Sequence, residues 1–234
     1  MNFFDVIIPE KIHKRNIIEF IETAKWFGYG KICFIFPAKA IKKKDKIESI
    51  LNESANTTVK TYFGFYARKM KELLKLIKLR RNFDLLIVEG GDLNLNRKAC
   101  ETSEVDILLN PEFNRKDSGM NHIFAKLAAK NNVCLGISLK KFLSTFEYKE
   151  VISNIALNIF LAKKYGMKIT LVSGASKIEE MVDPLSLVSL GKILGMELKE
   201  AKESASRVLT NIIEENLKRK RPEWIAPGIE VVKK

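Results

Sequence analysis

Four acids follow strand-like apolar runs in this 234-residue chain: Glu10, Glu89, Asp92 and Glu112. Paired carboxylates in such positions can move protons or hold a divalent cation. The partners that hydrolytic chemistry calls for are missing. Only two histidines occur, His13 and His122, and Cys33, Cys100 and Cys134 have no C-x-x-C spacing. Acids alone would hold at most a magnesium ion through water, so no catalytic residue and no protein metal ligand is assigned.

The cations carry more information. Lys and Arg number 41 against 28 Asp and Glu, a formal charge of +13. A surplus of that size marks a phosphate-bearing partner, nucleic acid or an anionic membrane. Residues 60–81 hold eight cations against Glu72 alone, a local +7. Within them Arg68, Lys71, Lys75 and Lys78 form one helical stripe and Met70, Leu73, Leu74 and Ile77 a second, core-facing one. A solvated face or a membrane-surface helix would show the same basic pattern. This helix is hemmed between two strand-like runs, which favours phosphate contact.

The densest segment is Pro111–Phe142. A polar loop carries Arg115, Lys116, Asp117, Ser118 and Gly119, and an amphipathic helix follows, which Asp117 or Ser118 can cap. His122, Lys126 and Lys130 recur every four residues and share one helix face. The next strand runs into Lys140 and Lys141. Loops after strands gather on one rim of a barrel, so Arg115, Lys116, Lys140 and Lys141 are expected to cluster. Leu171–Ser176, LVSGAS, places small residues at a strand end, where a backbone can approach phosphate. A strand-to-helix turn requires small residues in any case.

These groups need a scaffold. Strands are expected at Phe4–Ile8, Lys31–Phe36, Val59–Tyr66, Phe83–Val88, Asp106–Asn110, Val133–Leu139 and Lys168–Val172, mostly continuous apolar runs as for strands buried on both faces. Helical periodicity fills Lys14–Phe27, Lys39–Glu53, Arg68–Arg81, Asn121–Asn131 and Tyr148–Tyr165, and Leu185–Arg219 reads as helix only. Segment 92–105 is too short and polar to assign. Seven β–α alternations fit an α/β, TIM-barrel-like (β/α) barrel of parallel strands with extra C-terminal helices, over a single domain 1–234 with a helical tail from about 185. An open doubly wound sheet is the alternative. The tail is acidic, −4 over residues 179–215. A polyanion is repelled there and a basic protein is not, and Trp224 could anchor such a protein or pack on the barrel bottom.

Other classes drop out. No apolar run reaches the ~18 residues of a membrane span. The start, MNFFD, lacks a basic n-region, so no signal peptide is expected. An odd number of cysteines suits a reducing, cytoplasmic location.

The stretch RKDSGMNHIFAKLAAKNNVCLGISL, with TLVSGA at Thr170–Ala175 and PGIEVV at Pro227–Val232, resembles archaeal ribonuclease P protein component 3, the counterpart of the eukaryotic thirty-kilodalton subunit. The resemblance covers essentially the whole chain. It implies a barrel-like fold and a protein subunit of the endoribonuclease (a hydrolase) that removes 5′ leaders from precursor tRNA. It also implies a catalytic RNA served by magnesium, no cofactor on the protein, and partnership with ribonuclease P RNA, component 2 and other subunits, with precursor tRNA met indirectly and no membrane. The isolated chain is then not expected to be catalytic. Candidate RNA contacts are Arg68, Arg115, Lys116, His122, Lys126, Lys140 and Lys141. Family members often carry Arg after the Gly-x-Ser-Leu strand, where Lys140 and Lys141 stand here, which loses a bidentate phosphate clamp. The alternative is a metal-dependent phosphoesterase of the polymerase and histidinol phosphatase type. Those enzymes carry His-x-His at the first strand end, and this chain has none.

Overall fold

A computed structural model describes residues 2–54, 58–144, 148–221, 223–226 and 229–230. Most of the PGIEVV stretch lies outside the described residues. Seven parallel strands follow one another around a barrel in sequence order. They are β1 (Phe3–Ile7), β2 (Tyr29–Pro37), β3 (Lys60–Ala67), β4 (Leu85–Glu89), β5 (Ile107–Leu109), β6 (Cys134–Ser138) and β7 (Ile169–Val172). Every expected strand is present, and its ends agree to within a residue or two. Buried parallel strands read plainly because neither face needs polar residues.

Each strand is followed by helix. The wrapping helices are α1 (Lys14–Trp26), α2 (Lys44–Glu53), α3 (Met70–Lys78), α4 (Leu93–Cys100), α5 (His122–Lys130), α6 (Leu139–Leu143) and α7 (Tyr148–Tyr165). The tail forms α8 (Pro184–Ile193), α9 (Leu198–Ser204) and α10 (Arg207–Arg219), followed by a hairpin of β8 (Trp224–Ala226) and β9 (Ile229–Glu230). The segment left unassigned in the sequence contains α4, opened by Asp92, whose side chain accepts from Leu95 N. The apolar stripe of α3 differs from expectation. Leu73 and Leu76 are buried, whereas Met70 and Leu74 are exposed, so the helix packs on a narrower face. No helix among the described residues is long and apolar enough to cross a membrane.

Two apolar layers hold the barrel. Phe20, Phe34, Phe36, Leu86 and Leu135 belong to the layer between strands and helices. Phe4, Val6, Cys33, Ile35, Leu85, Ile87 and Leu109 fill the interior, joined by Leu209 and Ile213 of α10. Helix α10 therefore plugs the end of the barrel where the strands begin. Its Asn216 Nδ2 donates to Asp84 O at 3.0 Å and Asp106 Oδ1 at 2.9 Å. Asp106 also accepts from Leu86 N and Arg80 Nη2, both at 2.6 Å.

The seam between β7 and β1 closes without a regular ladder. Ile8 N donates to Ala175 O at 2.8 Å, Gly174 N to Val6 O at 3.1 Å, and Ser173 N to the buried Asp5 Oδ1 at 2.7 Å. Nearer the strand beginnings, Phe4 N donates to Ala205 O and Thr170 Oγ1 to Ser204 O. The turn from α9 to α10 thus stands where an eighth strand would stand.

Candidate nucleic-acid interface

The carboxyl ends of the strands surround a cavity of about 550 Å³ whose lining includes Lys39, Arg68, Lys140 and Lys141. β3 delivers Arg68, β6 with α6 delivers the two lysines, and the turn after β2 delivers Lys39. Glu89, at the end of β4 and only 7% exposed, organises the cluster. Its Oε2 lies 2.5 Å from Arg68 Nε and its Oε1 lies 3.1 Å from Lys141 Nζ. Arg68 also sits over the Tyr66 ring, 4.9 Å from its centre. The one carboxylate thus fixes both cations at the mouth.

Lys140 faces the opposite wall, 2.8 Å from Glu180 and hydrogen-bonded to Ser176. Burial would raise the Glu180 carboxyl. The Lys140 hydrogen bond and charge, with the Ser176 N–H and hydroxyl, overcome it and hold the group at about 2. Lys39 has no carboxylate partner among the described residues and is exposed. It is the mouth cation that sequence reasoning missed, because its short 3-10 turn, Ala38–Lys43, reads as the start of the following helix.

Beside the mouth lies a second cavity of about 410 Å³, lined in part by Glu112, Phe113, Arg115, Lys116 and Lys141. Lys141 borders both, with its Nζ 3.7 Å from the centre of the Phe113 ring. The expected rim cluster of Arg115, Lys116, Lys140 and Lys141 is therefore present in space. Its members are not equally available. Arg115 grips Asp117 through two bonds of 2.7 Å and donates to Gly91 O at 3.2 Å. That bidentate pair, with the Gly119 N–H, holds the Asp117 carboxyl below its ordinary value. Lys116 is exposed, and its side chain has no carboxylate partner among the described residues.

Buried amides build the loop that presents these cations. Asn96 Nδ2 donates to Pro111 O and Gly119 O, each at 3.0 Å. Gly119 has φ +65°, and a Cβ there would lie 1.9 Å from Pro111 O. Asn158 of α7 donates to Ser118 O at 2.8 Å and Glu112 Oε2 at 3.2 Å, while Asn110 donates to Glu112 Oε1 at 3.2 Å. Burial raises the Glu112 carboxyl to about 7 despite these donors. The side-chain carbonyl oxygens of Asn110 and Asn158 are buried with no hydrogen-bond partner among the described residues.

Two sequence readings change here. The cap of α5 is Asn121, whose side chain accepts from Ile123 N and Phe124 N, rather than Asp117 or Ser118. Asp117 is drawn to Arg115, and Ser118 Oγ donates to Met120 O. The N–H groups of Ser173–Ser176 are all bonded within the chain, to Asp5, Val6, Ser173 Oγ and Glu180, so this turn seals the barrel and cradles no phosphate. His122 and Lys126 are exposed on one face of α5, and the Lys126 Nζ lies 5.3 Å from the centre of the Tyr165 ring. They line neither cavity and form a separate face. Trp224 packs at the barrel bottom, where Arg81 covers its ring at 5.7 Å.

The rim can bind polyanions through fixed and free cations. Among the described residues no group of three His, Cys, Asp or Glu side chains is arranged to hold a metal ion. Asp92 is spent as a helix cap, and Glu89 and Glu112 are buried in the networks above.

Known proteins agree with this architecture. The sequence profile of the family described as RNase P subunit p30 matches residues 2–221. Ribonuclease P protein component 3 of Methanosarcina acetivorans is 38% identical over 157 residues, covering 66% of this chain and 64% of that relative's length. The component 3 protein of a Methanococcus maripaludis strain is 32% identical over 227 residues, covering 92% of this chain and 93% of the relative. A chain in the cryo-EM structure of archaeal ribonuclease P with mature tRNA superposes with a TM-score of 0.81 at 25% identity, covering 99% of this chain and 98% of that one. The chain belongs to the RNase P subunit p30 family.

Proposed function

We infer that this chain works as a protein subunit of ribonuclease P, in the cytoplasm, binding and organising the RNA that removes 5′ leaders from precursor tRNA. The observation that carries the reading is the whole-chain superposition on a chain of archaeal ribonuclease P with mature tRNA. The cationic rim gives it a physical basis. Lysine and arginine on a rigid frame neutralise phosphates and release counterions without reading base sequence. Magnesium belongs to the RNA in this account, and the protein supplies no cofactor. The metal-dependent phosphoesterase reading is not favoured, because β1 leads into Ile8-Pro9-Glu10 with no histidine.

The contacts divide by availability. Lys39 and Lys116 meet phosphate directly, and Arg68, Lys140 and Lys141 do so while tethered to Glu89 and Glu180. Arg115 acts mainly by holding its loop. His122 and Lys126 offer a second, weaker face on α5. Component 2 is the proposed protein partner, seated on the acidic tail, where Leu185 and Ile193 are 63% and 70% exposed.

The experiment is the salt dependence of binding to ribonuclease P RNA. Lys39→Ala and Lys116→Ala should each flatten the log–log slope by about 0.7–0.9, weakening binding about sixfold at 0.1 M salt. Arg115→Ala should change the slope less than either lysine. Equal slopes for Lys39→Ala, Lys116→Ala and the parent chain would contradict the rim as the RNA surface.

A further inference from the structure

The opposite end of the barrel holds a cleft that the rim account does not use. Its volume is about 460 Å³, and it lies where α3 ends, β4 and β5 begin, and α10 leaves the barrel. Trp224 forms one wall, with Ile77 and Leu79 supplying further apolar surface. Arg81 and Lys78 are exposed on its edge, with no carboxylate partner among the described residues. Arg219 completes the lining. Its Nε is shut from solvent with no hydrogen-bond partner among the described residues, and it forms only a long ion pair with Glu215, at 3.6 Å. Two further cations of the cleft are already committed, Arg80 to Asp106 and Lys220 to Asp84. Glu104 is the only acid in the lining among the described residues.

We propose that this cleft is a second RNA-binding site, taking one unpaired nucleotide with its base on the Trp224 indole, where the Arg81 guanidinium now lies 5.7 Å from the ring centre, and its phosphate among Arg219, Lys78 and the displaced Arg81. Single-stranded nucleic acid is held in this way, by an aromatic face for the base and cations along the backbone. An acidic peptide would use the cations but leave the indole and the two aliphatic walls without a flat partner. The buried Arg219 N–H requires an acceptor, and a phosphate oxygen supplies one. The inference rests on the RNA-binding reading and adds to it. Cationic sites at both ends of one rigid barrel would let a single chain tie together two segments of a folded RNA.

The chain has two tryptophans, and the other, Trp26, lies on α1, so Trp26→Phe leaves Trp224 as the sole indole reporter. The full-length Trp26→Phe chain would be titrated with a short oligoadenylate, alongside an oligoglutamate of equal charge. Quenching of Trp224 by the oligoadenylate and not by the oligoglutamate is the expected result. A labelled oligoadenylate then measures two variants by anisotropy. Trp224→Leu should weaken binding by about tenfold with the salt slope unchanged. Arg81→Gln, on the surface and safe for folding, should lower the slope by about 0.7. Binding that leaves Trp224 emission unchanged would overturn the inference while sparing the rim. Equal quenching by oligoglutamate would overturn it in favour of a peptide site, and no binding by either probe would overturn it together with RNA binding by the isolated chain.

Discussion

Asp106→Ala should lower the unfolding free energy by about 3–5 kcal/mol, the usual cost of breaking a buried ion pair from one side. Asp106 is 6% exposed and serves three donors, Arg80 Nη2, Leu86 N and Asn216 Nδ2. Its removal strands the Arg80 guanidinium and frees α10 from the barrel end that it plugs. Asp106→Asn keeps one acceptor and should fall between the two. Urea midpoints at constant m-value read the difference. A loss below about 1 kcal/mol would show that Leu209 and Ile213, with the bonds of Asn216 and Lys220 to Asp84, seat the helix without Asp106.

Glu112→Gln is expected to act in the opposite direction, and only at higher pH. The carboxyl titrates near 7 in the folded chain because it is buried, against an ordinary 4.5. The folded state therefore holds its proton more tightly than the unfolded state. Stability falls as pH rises from about 4.5 to about 7 and is level beyond. The gap corresponds to about 3 kcal/mol. A glutamine cannot ionise, and its NH2 group can donate to the orphaned carbonyl oxygen of Asn110 or Asn158. The variant should match the parent chain near pH 4.5 and exceed it by up to about 3 kcal/mol at pH 8. The loop bearing Lys116 would stay in place, so its RNA salt slope should not change. A stability difference independent of pH would remove the buried carboxylate from this explanation.

Both networks show where sequence reading succeeds and where it stops. Runs such as Leu85–Val88 and Cys134–Ile137 declare themselves because burial on two faces leaves one choice of residue class. The rim cations were legible too, since Lys140 and Lys141 follow a strand directly. Availability was not. Arg115 reads as a free cation, and its engagement by Asp117 and Gly91 depends on a loop conformation fixed by Asn96 from a distant helix. Asn96 sits in the segment whose Leu-Asn-Leu-Asn pattern carries no clear period. Asp106 and Asn216 are 110 positions apart, and nothing local announces their bond. The lack of an eighth strand among the described residues is equally silent, because the last residue of α9, Ser204, and the turn of Ala205 and Ser206 stand in its place.

Reconstitution tests the central claim most directly, that this chain organises a catalytic RNA rather than performing the cleavage. Ribonuclease P RNA and component 2 would be assembled with the parent chain, with a Lys39→Ala, Lys116→Ala, Lys140→Ala variant, and with no third component. Precursor tRNA cleavage would be followed across magnesium and protein concentration. The chain should enter a complex with component 2 and lower the magnesium needed. The variant should be impaired at moderate salt, by about two-hundredfold in RNA affinity if all three contacts are lost, yet recover cleavage at saturating protein and magnesium. A fully assembled variant particle that cannot cleave at saturating magnesium would contradict the claim, as would cleavage indifferent to the presence of the chain.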